Sequence, residues 1–461
     1  MPQEEIVHCL AGHSSNDIFN HNYKNFINIF GFCNLCTKEN FFQEFGTWSS
    51  GNVEIDKVIQ EDQISHHRND GYRLQWMPYD DFRDIKHIAD GGYGSVYSAI
   101  LKNGVKLYWN FNKQDWEYRS DVKTVALKEI NDSRHDISEF LKEVKNLIIA
   151  NDLYFITKCI GISKNPSTQN YIIIMELQNY SLHKFLTKNF GNLRWSTKKY
   201  LIYTIAIGLL SLHQNNLVHR DLHSGNILIS YLDSFSGASI TDLGLCRLEN
   251  DLILKSDNKS NNIYGSIPYI PPEVLRGNKF TQKGDIYSFG GIMYEIATGK
   301  QPFHDRAHDT YLIIDICNGI RPKIPDWIPE WYSDLMNQCW SGDPSERPTA
   351  KELYDVIRNL RDNCNKIDNI FQQFKVTDQN QEKESHPQSC YISRRINTLH
   401  GLYNSLEDIK SGKSQDPNLL KSNELTSSSI STYDIDSKES QECIDFEKEI
   451  QNQAKNDHFQ L

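Results

Sequence analysis

The sequence has no excess of positive charge and no long apolar run. Its 461 residues carry 49 lysines and arginines against 60 aspartates and glutamates, so the formal net charge is −11. Surfaces that bind the phosphate backbone of nucleic acid are normally basic, and this balance gives no sign of one. Apolar runs such as residues 171–175 fall far short of the roughly 20 residues that a membrane-spanning helix needs. We therefore expect neither a nucleic-acid partner nor a membrane span.

We also expect no disulfide framework, no internal repeat and no secretory signal peptide. Its ten cysteines are scattered, and only Cys33 and Cys36 lie close together. Dispersed cysteines are typical of proteins from a reducing compartment. The first residues show no basic stretch followed by an apolar core, as a secretory signal peptide would, and no repeat is apparent. These features favour a cytoplasmic protein, with the nucleus as the alternative.

The strongest positive signal is the run His-Arg-Asp-Leu-His-Ser-Gly-Asn at residues 219–226. Asp221 and Asn226 stand five positions apart in it. A carboxylate can accept the proton of a substrate hydroxyl, and an amide at this spacing can hold a Mg²⁺ ion. The apolar residues that follow predict a short strand that keeps both side chains in place. The run is thus typical of a loop that transfers phosphoryl groups.

A glycine-rich turn lies upstream, at residues 88–97. Its glycines would let backbone amides approach phosphate oxygens, because no Cβ stands in the way. Ala89 occupies the place of a usual first glycine, and if that position needs a positive φ, alanine costs on the order of 1 kcal/mol. Taken alone, the run could equally be an ordinary hairpin turn. With the other motifs, it predicts an altered phosphate-binding loop rather than an inactive one.

A lysine and a glutamate follow at a characteristic spacing. Lys128 ends a strand of apolar residues, and Glu143 lies on a predicted helix whose apolar residues recur at helical intervals. The spacing predicts an ion pair that holds the lysine against the α- and β-phosphates of a nucleotide. Glu129 or Glu139 could serve instead, but the register of Leu-Lys-Glu-Val beside the apolar stripe favours Glu143.

Three further motifs come after the loop. Asp242, in Thr-Asp-Leu-Gly, supplies a second carboxylate for a metal ion. Glu273, in Pro-Pro-Glu, and Arg347 can form a buried pair, for which the guanidinium fork is better suited than an ammonium group. Asp285 begins an apolar helix, and its carboxylate can bond the backbone of residues 219–226 and hold it in a strained turn.

In this order, the motifs make residues 82–361 similar to a eukaryotic protein kinase domain, and most similar to the tyrosine-kinase-like (TKL) group of serine/threonine kinases. The resemblance implies an α+β fold of two lobes, with a small antiparallel sheet and one main helix in the first and a larger, mostly helical second lobe. It implies transfer of the γ-phosphate of ATP to serine or threonine hydroxyls of proteins in intracellular signalling. ATP, Mg²⁺ and protein substrates are the partners that follow from it, and the oligomeric state is left open.

The resemblance also assigns roles to residues. Asp221 corresponds to the catalytic base and Lys128 to the phosphate anchor, while Asn226 and Asp242 correspond to the Mg²⁺ ligands. The hinge between the lobes falls within residues 172–178. The nucleotide-binding residues that the resemblance implies are Ile88, Ala89, Asp90, Gly91, Gly92, Tyr93, Gly94, Ser95, Val96, Ala126, Lys128, Glu176, Gln178 and Leu228.

Two features bear on activity and specificity. His223 stands where serine/threonine kinases usually carry a lysine, and a neutral histidine can bond the γ-phosphate but carries less charge at pH 7. An inactive or weakly active pseudokinase scaffold is therefore the alternative to an active kinase. The run Gly-Ser-Ile-Pro-Tyr at residues 265–269 matches the serine/threonine pattern, and Ser266 stands where a threonine usually bonds the catalytic aspartate. Dual-specificity or tyrosine kinase activity is the alternative to serine/threonine specificity.

The resemblance also predicts regulation by phosphorylation. Arg220, before the catalytic aspartate, can pair with a phosphate on the segment between Asp242 and Glu273. The hydroxyls available there include Ser256, and a phosphate would add about −2 charge near the guanidinium. The regulatory residues on this hypothesis are Glu143, Arg220, Ser260 and Tyr264.

Residues 1–78 form an N-terminal region in which Cys33 and Cys36 have the spacing of a metal-binding hairpin. Zinc takes four nitrogen or sulfur ligands, and Cys9 with His13 or His8 would complete the set. The alternative is a degenerate zinc knuckle that no longer binds metal. The sequence leaves both interpretations open.

Two other segments carry expectations. Residues 102–123 exceed a tight hairpin and contain aromatic residues such as Trp109 and Trp116, which either form a docking surface or fold back on the parent sheet. Residues 366–461 are rich in polar residues and are expected to be a largely disordered tail. A hydroxyl cluster at residues 426–432 is a candidate autophosphorylation site within it.

Overall fold

The chain folds into two compact units with different secondary structure. The computed structural model describes residues 7–20, 23–65, 72–91, 94–119, 124–232, 234–248, 259–359 and 385–419. The first unit is Met1–Asp152 with Thr157–Leu177, and the second is Leu153–Ile156 with Gln178–Leu461. The first contains most of the strands and the second most of the helices, so the expected α+β class is confirmed. The division after Leu177 falls in the segment predicted to be the hinge.

The first unit is built on a six-stranded sheet. The strands of the whole unit, inside and outside this sheet, are β1 (Ile18–Asn20), β2 (Tyr23–Lys24), β3 (Gln75–Trp76), β4 (Phe82–Gly91), β5 (Gly94–Leu101), β6 (Val105–Asn110), β7 (Asp115–Arg119), β8 (Thr124–Ile130), β9 (Cys159–Lys164) and β10 (Tyr171–Glu176). Its helices are α1 (Asn34–Glu44), α2 (Val53–Ile64) and α3 (Ser138–Asn151). The sheet order is β3-β9-β10-β8-β5-β4, and its strands are antiparallel except for the β3–β9 pair.

Alternating apolar residues build the core of this sheet. Val125 and Leu127 of β8 pack with Ile172 and Ile174 of β10, as the two-residue period of a strand requires. Helix α3 buries apolar residues at intervals of three or four, among them Phe140, Val144 and Leu147. This periodicity gives the helix one apolar face, which accounts for its burial.

The N-terminal region lies in the same compact unit as the sheet. Asn52 caps α2, because its side chain accepts hydrogen bonds from two backbone N–H groups of the first turn. At the other end of the helix, Asp62 accepts the backbone N–H of Leu74 at 2.6 Å. The bond from Leu74 to Asp62 ties α2 to the chain that enters β3.

The insertion between β5 and β8 is the hairpin β6–β7, and its aromatic residues face helix α1. The ring of Trp116 is buried and lies 4.4 Å from that of Phe41, and its Nε1 donates a hydrogen bond to Glu44 at 2.8 Å. Lys106 forms an ion pair with the same carboxylate at 2.7 Å. The partner of this hairpin is therefore α1, rather than open solvent or the parent sheet alone.

The second unit is mostly helical. Its helices are α4 (Leu182–Asn189), α5 (Trp195–Gln214), α6 (Pro272–Leu275), α7 (Gln282–Thr298), α8 (Thr310–Cys317), α9 (Glu330–Cys339), α10 (Ala350–Asn359) and α11 (Leu406–Lys410). Its strands are β11 (Tyr180–Ser181), β12 (Leu217–Val218), β13 (Ile227–Leu232), β14 (Ser234–Ile240), β15 (Arg247–Leu248), β16 (Asn262–Gly265) and β17 (Arg394–Asn397). Among the described residues, none of the helices has the length and apolar character that a bilayer crossing requires.

Helix α7 is the centre of the second unit, because it is buried all round from residue 284 to residue 297. It ends at Gly299, whose φ of +72° is the left-handed conformation that glycine adopts readily at a helix terminus. The loop at residues 219–226 lies between β12 and β13. The strands β11, β13 and β14 form a small antiparallel sheet that fixes the outgoing end of this loop.

Residues 385–419, here called the docked segment, differ from the expected disordered tail. Strand β17 pairs antiparallel with β16, and Ile396 within it is fully buried. Asp416 accepts the backbone N–H of Thr310 at 2.7 Å, and Asn418 donates to the hydroxyl of the same residue at 3.1 Å. The segment is ordered because its polar groups find partners on the second unit, which composition does not reveal. Residues 360–384 and 420–461, with the hydroxyl cluster, lie outside the described residues.

Candidate active site

The loop at residues 219–226 is held by a buried carboxylate from the start of α7. Asp285 is fully buried, and it accepts the backbone N–H of His219 at 2.8 Å and that of Arg220 at 2.9 Å. Arg220 has a φ of +73°, a left-handed conformation that costs a non-glycine residue about 1–3 kcal/mol. The carboxylate therefore stabilises the strained turn that the sequence predicted.

Asp221 follows the strained residue, and its surroundings suit it to accept a proton. The side-chain amide of Asn226 donates to the carbonyl of Asp221 at 2.9 Å, which fixes the two residues relative to each other. Burial raises the pKa of the Asp221 carboxyl, while the nearby His223 opposes that rise. The Oδ1 atom accepts a hydrogen bond from the hydroxyl of Ser393 at 2.7 Å. A buried carboxylate in contact with a serine hydroxyl has the geometry of a general base.

The second carboxylate, Asp242, is tied to the same loop. Thr241 donates its N–H to the carbonyl of Asn226 at 3.0 Å, and Nε2 of His219 lies 2.9 Å from the carbonyl of Thr241. Asp242 has a φ of +60°, and its Oδ1 accepts the N–H of Gly244 at 3.4 Å. These bonds fix the segments that carry Asn226 and Asp242. Amide and carboxylate oxygens are the ligands that Mg²⁺ prefers, so this pair fits the ion.

Lys128 and Glu143 form a buried ion pair in the first unit. The Nζ atom of Lys128 lies 2.7 Å from Oε1 of Glu143, and both side chains are almost completely buried between β8 and α3. The alternatives have other partners, since Glu129 accepts hydrogen bonds from Asn165 and Glu139 pairs with Lys142. The structure thus forms the pair that the spacing predicted.

The glycine-rich turn joins β4 and β5. Ala89 lies opposite Val96, and the carboxylate of Asp90 accepts a hydrogen bond from the hydroxyl of Ser95 at 2.6 Å. Ala89 is not among the residues with a positive φ, so the strain considered for an alanine at this position does not arise. The tip of the turn, residues 92–93, lies outside the described residues.

The other nucleotide-binding candidates are divided between the two units. In the first unit, Ala126 of β8 lies opposite Met175 of β10, and Glu176 ends that strand. Gln178 and Leu228 belong to the second unit. The candidates on β8 and β10 are therefore brought together within one sheet.

Glu273 and Arg347 form the expected buried pair. Two parallel hydrogen bonds join the guanidinium to the carboxylate, at 2.8 and 2.7 Å. The guanidinium also donates to the carbonyls of Ser341 and Lys283 at 2.9 Å. The stretch between Asp242 and Glu273 is here called the activation segment. The fork anchors its end to the start of α7, which an ammonium group could not do with the same geometry.

The expectation for Ser266 was wrong. Its hydroxyl is buried and has no hydrogen-bond partner within the described parts of the chain, so it does not bond Asp221. The hydroxyl that donates a hydrogen bond to Asp221 is instead that of Ser393. Sequence reasoning missed Ser393 because its signal was weak: apolar residues at 390, 392 and 396 share the even positions of a strand period, but Arg394 interrupts it.

The candidate regulatory hydroxyls lie beside the docked segment. The carbonyl of Ser260 accepts a hydrogen bond from the hydroxyl of Thr398 at 2.6 Å. Tyr264 lies opposite Arg395 in the β16–β17 pair. Phosphorylation of this segment stays a prediction, and Ser256 lies outside the described residues.

Four metal-ligand side chains meet in the N-terminal region. The ligand atoms of Cys9, His13, Cys33 and Cys36 all lie within 4.8 Å of one another. Nδ1 of His13 is 3.3 to 3.7 Å from the three sulfur atoms, and its Nε2 lies 3.1 Å from the carboxylate of Glu39. The three cysteines are buried. Three thiols and one imidazole are a donor set that zinc takes, and a carboxylate behind the imidazole is a usual support for a ligating histidine.

The comparisons with known proteins agree with this geometry. The family described as protein tyrosine and serine/threonine kinase matches residues 82–357. The chain is 30% identical to R831 of Acanthamoeba polyphaga mimivirus, which is provisionally named a serine/threonine-protein kinase/receptor. This match extends over 322 residues, which are 68% of the chain and 18% of R831.

Two further relatives are each 28% identical. They are the dual specificity protein kinase pyk3 of Dictyostelium discoideum, over 70% of the chain and 22% of the relative, and the receptor-interacting serine/threonine-protein kinase 4 of Mus musculus, over 62% and 34%. The chain thus spans between about a fifth and a third of the length of these relatives. With the matched motifs and the matched range, which is more than half of the chain, it belongs to the protein tyrosine and serine/threonine kinase family and contains a protein kinase domain.

Proposed function

We propose that the chain is an active protein kinase that transfers the γ-phosphate of ATP to serine or threonine hydroxyls of protein substrates. One observation carries this proposal: the hydroxyl of Ser393 donates to Oδ1 of Asp221 at 2.7 Å. A hydroxyl in this position can pass its proton to the carboxylate as its oxygen bonds to phosphorus. The arrangement is that of an acceptor beside its base.

The retained residues fit a nucleotide with its metal. Bound Mg²⁺ and ATP would supply the phosphoryl group and neutralise the charge that develops during its transfer. Asn226 and Asp242 would hold Mg²⁺ through their side-chain oxygens. Lys128 would bind phosphate oxygens, and Glu143 holds its ammonium group in one position through the buried ion pair.

The acceptor geometry favours serine or threonine over tyrosine. The hydroxyl of serine is one carbon from the main chain, so Ser393 reaches Asp221 because its backbone runs close to the carboxylate. That backbone is fixed by strand β17, which begins at the next residue and pairs with β16. A tyrosine there would have to fit its ring between the main chain and Asp221. The relative named a dual specificity kinase keeps tyrosine transfer as the alternative.

An inactive scaffold is the second candidate function. The observation in its favour is His223, which stands in place of the usual lysine. Against it, Asp221, Asn226 and Asp242 are all retained, and the ion pair of Lys128 is formed. A scaffold that transfers no phosphate does not need all four of these residues, so we favour an active kinase.

The test is phosphate transfer from radiolabelled ATP to a generic basic protein. Wild-type chain should label the protein on serine or threonine, and Asp221→Asn should not. Asp326→Asn is the matched control, because Asp326 is an exposed aspartate of the second unit. Equal labelling by wild type and Asp221→Asn would contradict the proposal, and phosphotyrosine as the main product would contradict the specificity.

We also propose that Cys9, His13, Cys33 and Cys36 bind one structural zinc ion. With Zn–S bonds of about 2.3 Å, sulfur atoms in a tetrahedral site lie about 3.8 Å apart. The sulfur atoms of Cys9 and Cys36 lie 3.5 Å apart, so little movement would close the site. The ion would supply folding energy to a region that has a small core of its own.

Elemental analysis of full-length chain tests the zinc proposal. Wild type should hold close to one zinc, and Cys36→Ser should lose it, with easier proteolysis of residues 7–65. Cys317→Ser is the control, because Cys317 is a partly buried thiol far along the chain and outside the cluster. A clearly substoichiometric zinc content in protein made with adequate zinc would contradict the site.

A further inference from the structure

The docked segment runs antiparallel to the activation segment and leads to the catalytic base. Residues 394–397 pair in order with residues 265–262, so Arg394 lies opposite Gly265. The residue before this ladder is Ser393, and its hydroxyl is the group that Asp221 holds. The pairing thus fixes the main chain of the segment where it delivers a serine side chain to the base.

The hydrogen bonds around Ser393 are those that an acceptor hydroxyl needs. The N–H of Gly225 donates to Nδ1 of His223 at 3.1 Å, and with Nδ1 as acceptor the ring proton lies on Nε2. That Nε2 lies 3.1 Å from Oγ of Ser393 and can donate to it. The hydroxyl proton is then directed at Oδ1 of Asp221, 2.7 Å away. One lone pair of the hydroxyl oxygen remains available to form a bond.

Contacts on both sides of Ser393 make the segment a specific fit. On the N-terminal side, the hydroxyl of Tyr391 donates to the carbonyl of Pro302 at 3.0 Å, and its ring packs edge-on against His308 with centroids 4.7 Å apart. Arg394, the residue that follows Ser393, donates to the carbonyl of the same His308 at 2.9 Å. These contacts depend on the side chains of Tyr391 and Arg394, which lie close to the acceptor serine in the chain.

On the C-terminal side, the contacts continue beyond the strand. Ile396 is fully buried, and the hydroxyl of Thr398 donates to the carbonyl of Ser260 at 2.6 Å. The N–H of Leu399 donates to the carbonyl of Leu275 at 2.9 Å, in helix α6. The segment therefore covers the surface beside the activation segment on which another protein substrate would have to lie.

We propose that the docked segment is a substrate of its own kinase domain, bound within the same chain, and that Ser393 accepts the phosphate. This inference rests on the proposed function. In the step, Oγ of Ser393 bonds to the γ-phosphorus of ATP, and the bond from that phosphorus to the β–γ bridging oxygen breaks. ADP leaves with that electron pair, and the hydroxyl proton passes to Asp221.

The product of this step should leave the site. A phosphoserine at 393 carries about −2 charge, and it would stand beside the buried carboxylate of Asp221. Like charges at this distance repel, and burial strengthens the repulsion. Until the transfer occurs, Ser393 occupies Oδ1 of Asp221 and excludes other hydroxyls. The segment therefore delays phosphorylation of other proteins until its own serine has been modified.

Mass spectrometry of full-length chain incubated with Mg²⁺ and ATP tests the proposal. The peptide that contains Ser393 should gain one phosphate, with a first-order rate constant that does not change across a dilution series of the chain. Ser393→Ala should lose this phosphate, and Ser393→Thr should carry it on threonine. The matched control is Ser414→Ala, since Ser414 is an exposed serine of the same segment and its loss should leave the phosphate on Ser393.

Two failures are distinguishable. A chain that labels a generic basic protein but leaves Ser393 unmodified overturns this inference, while the proposed function stands. A chain that modifies neither the generic protein nor itself overturns the proposed function, and this inference with it. A rate constant that rises in proportion to chain concentration shows transfer between chains and overturns binding within one chain.

Discussion

The catalytic loop, residues 219–226, and the docked segment meet at Asp221, but they are held by different kinds of interaction. The loop is held by a buried charge, because Asp285 accepts two of its backbone N–H groups. Hydrogen bonds to charged groups contribute about 1.5–3 kcal/mol each. Strand β17 of the segment is held by the neutral bonds of the β16–β17 ladder, which contribute about 0.5–1.5 kcal/mol each, and charged groups such as Asp416 and Arg394 hold the segment on either side of it. We therefore expect the loop to keep its position when β17 separates from β16, so that the base stays in place while the serine leaves it.

The largest expected effect comes from removing the base while the loop stays in place. Asp221→Asn should lower the rate of phosphate transfer by about 10²–10⁴-fold, because an amide cannot take the hydroxyl proton. Affinity for ATP should change little. Transfer rates and nucleotide binding, measured beside Asp326→Asn, check this. If the two variants turn over equally, Asp221 is not the base.

The next effect comes from removing the charge that holds the loop. Asp285→Ala leaves the buried N–H groups of His219 and Arg220 without their acceptor, and each such loss costs about 1–3 kcal/mol. The free energy of unfolding of the second unit should fall by that order, and transfer should fall with it. Denaturant unfolding measures the first and a kinase assay the second. Asp326→Ala, at an exposed site, should leave both unchanged.

The pH dependence distinguishes the chemistry of the base from its stability. Burial raises the pKa of Asp221. As the pH is lowered, the transfer rate should therefore begin to fall while the pH is still above the ordinary aspartate pKa of about 3.9. Protonation removes the acceptor, hence activity falls. The folded state binds this proton more tightly than the unfolded state. Its contribution to stability is therefore present below the unfolded pKa and lost as pH rises through the folded pKa.

A pH–rate profile and a series of unfolding curves measure the two trends. As the pH rises, the transfer rate should increase, whereas the contribution of Asp221 to the free energy of unfolding should decrease. The second quantity is the difference between wild type and Asp221→Asn at each pH. A rate that stays constant down to the ordinary aspartate value would contradict a raised pKa.

A smaller effect should follow when the segment alone is displaced. Ile396→Asp places a charge at a fully buried position of β17, whereas Ile392→Asp places the same charge at a residue that is 41% exposed. The first variant should phosphorylate a generic basic protein several-fold faster than wild type, and the second should not. Initial rates before any self-modification are the measurement. Equal rates for the two variants would show that the segment does not limit access.

The sequence was sufficient for the loop because its geometry depends on local spacing. Asp221, Asn226 and Asp242 stand at fixed intervals from short strands, and the pair of Lys128 with Glu143 needs only one strand and one helix. The cluster of Cys9, His13, Cys33 and Cys36 was one of the alternatives that the sequence offered, because Cys33 and Cys36 lie on one turn. These predictions rest on contacts whose partners are specified by residue type.

The docked segment could not be predicted in the same way. The contact of Ser393 with Asp221 joins residues 172 positions apart. No charge or spacing within the docked segment indicates that Asp221 is its partner. Its order comes from backbone pairing with β16, which most sequences can make. The failure at Ser266 has the same origin, since the hydroxyl that bonds Asp221 comes from a distant segment.

Hydrogen exchange before and after incubation with ATP tests the central contrast most directly. Before ATP, the amides of His219 and Arg220 and those of β17 should all be protected. After ATP, the account predicts that the amides of β17 exchange much faster, while those of the loop stay protected by Asp285. If β17 remains as protected as the loop in chains whose Ser393 carries phosphate, the segment is a fixed part of the fold and the contrast is contradicted.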